Sequence, residues 1–163
     1  MRLDELLFSQ GFGTRRVCAG LIEQGLVVLD GRACRDPALE VRVADPAFRF
    51  SVDGVAWPYR ERACLMLHKP AGTECSHRPG AWPSGYTLLP QPLRQRPATG
   101  RALGVQAVGR LDQDTTGLLL LSDDGAFIHR MNSPRRQVPK VYEVGTRHPV
   151  DASQVQRLLA GVV

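Results

Sequence analysis

No apolar run in these 163 residues approaches the roughly 20 needed for a membrane-spanning helix. The opening stretch, MRLDELLFSQ, carries Asp4 and Glu5 where a secretion signal needs an unbroken apolar centre. A cytoplasmic protein with no membrane contact is expected. Cysteine is scarce as well: Cys18, Cys34, Cys64 and Cys75 include no C-x-x-C pair and have no secretory context, which predicts reduced thiols and no disulfide. Internal repeats are lacking, so solenoid architectures are not expected. Lysine is nearly missing, since only Lys69 and Lys140 stand among the 21 basic residues and the rest are arginine. That bias favours phosphate and base recognition, because the guanidinium presents a planar fork of donors and stacks on rings.

What is present resembles an ordinary globular chain: 43% of residues are hydrophobic and 23% charged. Its length allows one medium domain or two small ones. The net charge of +5 is unevenly placed. Divided after Arg62, the first part holds nine basic and nine acidic residues, and the second holds twelve against seven, so the whole excess lies in the second. Within it Arg130, Arg135, Arg136, Lys140 and Arg147 share a stretch whose single acid is Glu143. Charge alone fits a solvated face as well as a nucleic-acid surface.

Leu3, Leu6 and Leu7 sit at helical spacing, and Gly11 and Gly13 end that helix. Thr14 can cap a second helix reaching Gln24, with Val17, Cys18, Leu21 and Ile22 on one face and Gly25 at its C-terminal stop. Strands are expected at 26–29, 48–52 and 55–57, with turns at Asp30-Gly31 and Asp53-Gly54. The charged segment 59–62 marks a domain boundary, giving domains at 1–60 and 61–163. A strand is expected at 64–67, and a long surface loop at 76–104, where periodicity is lost among prolines and glycines. Further on, strands are expected at Val105 and at 117–122, a helix at 126–131, a strand at 138–144 and a helix at 153–160. A final strand would begin at Val162.

Two segments carry chemistry. Arg15 and Arg16 fall in the first turn of the second helix, with Arg2 nearby, where outward backbone N–H groups also favour phosphate. In V-G-R-L-D-Q-D-T-T-G-L-L-L-L-S-D-D-G, residues 108–125, an extended loop would project Arg110, Asp112 and Asp114 to one side, setting a carboxylate between a cation and a second acid. Spacing alone fits an acidic turn with local hydrogen bonds equally well.

R-L-D at the start, T-R-R, and L-I-E-Q-G-L-V-V-L-D-G together resemble the S4 domain, a small RNA-binding module of the alpha-L type, over about residues 1–50. The 108–125 segment resembles the signature of the RsuA family of pseudouridine synthases. So do L-H-K-P-A-G at 67–72, C-S at 75–76 and H-R-M-N-S-P-R-R-Q-V-P-K-V-Y-E-V at 129–144, with His68 departing from the usual asparagine. Within that family the chain is most similar to the form acting on one uridine of small-subunit (16S) ribosomal RNA. The resemblance implies an α+β fold: an S4-like domain, then a catalytic domain on a mixed or antiparallel sheet. It implies a cytoplasmic bacterial enzyme of rRNA processing, with no cofactor or metal and a monomeric family form, working on ribosomal RNA or a small-subunit assembly particle. Asp112 is then the catalytic nucleophile, Tyr142 the aromatic that stacks on the target base and accepts its C5 proton, and Arg110 the support of the extruded nucleotide. Arg2, Arg15, Arg16, Lys69, Arg130, Arg135, Arg136 and Lys140 become RNA contacts. The family continues for about another third of its length, which makes slow turnover the expectation for the 163 residues here.

Three rivals remain at this stage. The chain could be an RNA-binding protein without the chemistry. Asp112 and Asp114 could be the carboxylate pair of a glycoside hydrolase, although only Trp57 and Trp82 offer indole platforms for sugar. Cys64, His68, Cys75 and His77 could ligate zinc, but C-x3-H-x6-C-x-H lacks a standard knuckle.

Overall fold

The computed structural model describes residues 1–97 and 104–161. The part of the expected loop at 98–103 and the strand expected from Val162 lie outside the described residues.

The chain begins with α1 (Leu3–Ser9) and α2 (Arg15–Glu23), a tight helix pair. Asp4 and Glu5 occupy the first turn of α1, where the helix dipole favours negative charge, and the Glu5 carboxylate accepts the Arg2 backbone N–H at 3.3 Å. Thr14 caps α2 by accepting from Val17 N at 3.3 Å. Gly25 ends it in the left-handed conformation, φ +76°, donating to Ile22 O at 2.8 Å. Four antiparallel strands follow, β1 (Val27–Leu29), β2 (Arg32–Cys34), β3 (Arg49–Val52) and β4 (Val55–Pro58), in the order β2-β1-β3-β4. Both hairpin turns pair an aspartate with a glycine at positive φ, Asp30-Gly31 (48° and 77°) and Asp53-Gly54 (49° and 75°), the geometry that matches strand twist.

Leu3, Leu6, Leu7, Cys18, Ile22, Val27, Phe50 and Val52 form the first core. Phe12 meets Phe50 and Trp57 edge-on at 5.7 and 5.4 Å between ring centres. Burial pushes the Cys18 thiol up to about 11, so it packs as a small apolar group and does not act as a nucleophile at neutral pH.

The second sheet has strands β5 (Cys64–Lys69), β6 (Gln106–Val108) and β7 (Gly117–Ser122) in the antiparallel order β5-β7-β6. Leu119 and Leu121 point into a core with Ala63, Tyr86, Leu89 and Val105, while Leu118 and Met66 face outward and are exposed. The run 117–122 is therefore buried on one face only. Helices α3 (Gln91–Gln95), α4 (Gly125–Asn132) and α5 (Ala152–Leu159) complete the described elements, with 3-10 turns at Gly85–Leu88 and Pro134–Arg136. Asp124 caps α4 by accepting from Ala126 N and Phe127 N, and these bonds hold its carboxyl below the usual range.

Two expectations need correction. The 76–104 stretch is not a structureless loop: it contains the Gly85–Leu88 turn and α3, and buries Tyr86, Leu89 and Arg96. Its order comes from single polar anchors, such as Tyr86 Oη accepting Ala107 N at 2.8 Å, which leave no periodic trace. Residues 138–144 alternate like a strand but form none, and Val141 is 94% exposed. A strand needs a hydrogen-bonded neighbour, and none of the described residues pairs with this segment.

Arg96 joins the two parts. Only 3% exposed, it donates to Asp123 Oδ2 at 2.6 Å, Gln10 Oε1 at 2.9 Å, and the carbonyls of Arg60 and Glu61 at 2.8 and 3.1 Å. One guanidinium thus ties α1's C-terminus, the connecting segment and the second sheet. Gly11 permits the close approach, since a Cβ there would run into the Pro92 carbonyl.

Candidate active site

Residues 109–116 form the loop between β6 and β7, and its shape is fixed from beneath by Lys69, the last residue of β5. Lys69 is 0% exposed, and its ammonium donates to the carbonyls of Pro70 (3.1 Å), Gln113 (3.3 Å) and Thr115 (2.8 Å). Gly72 N donates to Gln113 O at 2.7 Å, Cys75 Sγ to Leu111 O at 3.4 Å, and Thr115 N closes a turn on Asp112 O at 3.1 Å. Every residue from Leu111 to Gln113, and Thr115 after them, is thereby anchored through its backbone. The Asp112 side chain stays exposed.

Asp112 lines a polar cavity of about 310 Å³ with Glu74, Cys75, Ser76, Arg110, Leu111 and Gln113. Among the described residues its carboxylate has no ion pair and no hydrogen-bonded partner, so both oxygens are free for a ligand. Asp114 is exposed but does not line the cavity, because the turn from Asp112 to Thr115 breaks the alternation expected of an extended loop. Glu74 accepts from Gly80 N and Trp82 N, both at 3.0 Å, and those N–H groups hold its carboxyl below the usual range. The cavity thus offers one unencumbered carboxylate, with Arg110 in the same lining, suited to nucleophilic attack on a polar ligand.

The other residues singled out in the sequence are distributed as follows. Arg110 joins Asp112 in the cavity. Tyr142 does not: it lies 78% exposed on the irregular segment after α4, outside the cavity lining. Lys69 departs from its expected role, since a fully buried ammonium already holding three carbonyls cannot reach a phosphate. Arg2 forms a two-bond pair with Asp4, at 3.1 and 2.8 Å. Arg15 and Arg16 are exposed at the start of α2, Arg15 lying 5.3 Å over the Phe8 ring. Arg130, on α4, lies 5.8 Å over Phe127; Arg135, Arg136 and Lys140 follow, all exposed. Cys75 bonds Leu111 O while the His77 ring stacks on Tyr86 at 3.7 Å, and among the described residues no three potential ligands converge on a metal-sized site.

Glu74 and Gln113 were not legible as site residues. Cys75 and Ser76 carried only a family match, and Lys69's anchoring role had as its sole signal the position of a cation at the end of an apolar strand.

Comparison with known proteins defines the class first. Residues 1–46 match the S4 domain and residues 63–158 match the RNA pseudouridylate synthase domain, so the protein joins an S4 module to a synthase module. The chain belongs to the RNA pseudouridylate synthase family, as an RsuA-type member with an N-terminal S4 domain. The uncharacterized RNA pseudouridine synthase YtzG of Bacillus subtilis is 34% identical over 163 residues, covering 99% of this chain and 64% of its own length. Ribosomal small subunit pseudouridine synthase A of Pasteurella multocida is 33% identical over 164 residues, with 100% and 66% covered. This chain therefore spans just under two thirds of these relatives. A crystal structure of a pseudouridylate synthase aligns with 84% of this chain and 54% of its own, at 29% identity and a TM-score of 0.38. No helix among the described residues is long and apolar enough to cross a membrane.

Proposed function

We propose that the protein isomerises a uridine of small-subunit (16S) ribosomal RNA to pseudouridine, with Asp112 as the nucleophile. The observation that carries this reading is the unpaired Asp112 carboxylate on a loop immobilised through its backbone, inside a polar cavity shared with Arg110. The name of the Pasteurella multocida relative points to the ribosomal small subunit. Isomerisation is redox-neutral and hydrolyses nothing. The N1–C1′ bond breaks, the base turns, a C5–C1′ bond forms, and the C5 hydrogen is replaced by one on N1. An aspartate that adds to the nucleotide, at sugar C1′ or base C6, and later departs accounts for every bond.

The remaining roles follow the family resemblance. Arg110 supports the extruded nucleotide, and Tyr142 stacks on the base and takes the C5 proton once its segment approaches the cavity. Flipping a base costs a few kcal/mol, which phosphate contacts offset. Arg15 and Arg16 on α2, with Arg2, and Arg130, Arg135, Arg136 and Lys140 beyond the second sheet supply exposed cations for them. Domains at 1–60 and 61–163, meeting at the Arg96 junction, would present both basic regions to one RNA, and the protein would act as a cytoplasmic monomer. Small-subunit RNA incubated with the protein and digested to nucleosides should contain one new pseudouridine per molecule. Tight binding with no pseudouridine would favour the non-catalytic alternative.

A further inference from the structure

Trp82 is a part-exposed tryptophan on the loop whose Glu74 and Ser76 line the Asp112 cavity. It is 46% exposed, whereas the only other tryptophan, Trp57, packs into the first core against Phe12. An exposed indole offers a large apolar ring with a polar N–H to a ligand. Its loop is fixed. The Glu74 carboxylate accepts from Trp82 N and Gly80 N, Glu74 N donates to Pro83 O at 2.9 Å, Gly85 N returns to Glu74 O at 2.9 Å, and Ser84 Oγ donates to Ser76 O at 2.6 Å. The indole lies along Gly72, where an added Cβ would sit 3.9 Å from the ring. Gly72 in turn donates to Gln113 O, next to Asp112, and Glu74 and Ser76 of the same loop line the cavity. The exposed cation Arg78 belongs to this loop too.

We propose that Trp82 is a stacking platform for an unpaired base adjacent to the uridine held at Asp112. When a uridine leaves its stack, its neighbour loses a stacking partner, and an indole held at the rim of the receiving cavity replaces it. Arg78, exposed on the same loop, is a cation available to the strand's phosphates. Stacking on an aromatic tolerates any base, so Trp82 sets affinity and the placement of the flanking nucleotide rather than base identity. This inference rests on the Asp112 cavity being the uridine site.

The test uses single-stranded RNA containing one uridine, and the same strand with abasic nucleotides on either side of it. Binding is followed by the anisotropy of a label on the RNA and by indole emission. The intact strand should quench the emission of the unaltered protein, the abasic strand should not, and Trp82→Phe should remove the quenching while keeping most of the affinity. Trp82→Ala should weaken binding about 5- to 150-fold, the range for loss of one stacked base, with an unchanged thermal midpoint. Unaltered affinity in Trp82→Ala, or equal quenching by both strands, would overturn the platform and leave the uridine site standing. Failure of every strand to raise the anisotropy would overturn both together.

Discussion

Replacing Lys69 with methionine separates a loop anchor from an RNA contact. The substitution keeps most of the length and the apolar character of the stem and removes the terminal ammonium with its charge and donors. The ammonium's three bonds vanish, but so does the cost of holding an ion out of water, and the two are of similar size, roughly several kcal/mol. What remains is the fate of the acceptors. Gln113 O retains Gly72 N, and Pro70 O retains the Thr73 hydroxyl at 3.0 Å, whereas Thr115 O loses its only bond among the described residues. One orphaned carbonyl costs about 1–3 kcal/mol, which a urea titration of Lys69→Met should report as a lowered midpoint. The loop bearing Asp112 should loosen, and a misplacement near 1 Å would lower turnover by about 100-fold. Affinity for RNA measured against salt should keep its slope. Had Lys69 gripped a phosphate, the log-log slope would fall by roughly 0.7–0.9 with its removal. Such a fall, with stability and turnover unaltered, would refute the anchor.

Further outcomes are expected elsewhere. Arg96→Met leaves the Asp123 carboxylate, itself 7% exposed, without its ion-pair partner and with only the Ala63 N–H at 2.8 Å, and should cost about 3–5 kcal/mol in urea unfolding; a loss below 1 kcal/mol would show the junction to be slack. Changing Arg15 and Arg16 together to alanine should flatten the salt dependence of RNA binding by about 0.7–0.9 per lost phosphate contact, and an unchanged slope would remove α2 from the interface. Glu74 has a folded carboxyl held below its unfolded value, so it stabilises its loop fully above the unfolded value and loses that contribution as pH falls through the lower, folded one. Acid titration of indole emission should therefore show a transition below the ordinary glutamate range that is missing in Glu74→Gln; the same transition in both would assign it elsewhere.

Much of the fold was legible because local chemistry and long-range packing agree in the first 60 residues. Thr14 as a cap, Gly25 as a stop and the two Asp-Gly turns each dictate geometry by themselves. Past β5, order depends on contacts that no period encodes. Tyr86 is placed by one bond to Ala107, Arg96 by four partners spread from Gln10 to Asp123, and α3 by packing after a proline. Reading 138–144 as a strand used side-chain alternation, which is necessary for pairing but says nothing of a partner. At the site, the motif around Asp112 marked the loop, and spacing put Arg110 beside it. Spacing also gave Asp114 a place that the turn at Thr115 denies, and it had no means of showing that Lys69 points inward.

The most direct test compares Asp112→Asn with Asp114→Asn for pseudouridine formation in small-subunit ribosomal RNA, with RNA affinity measured alongside. Asp112 lines the cavity with its carboxylate free, and Asp114 does not line it, so the first variant should form no pseudouridine while binding RNA as tightly as the unaltered protein. Asp114→Asn should retain most of the activity. Activity that survives in Asp112→Asn and disappears in Asp114→Asn would contradict the assignment of the nucleophile.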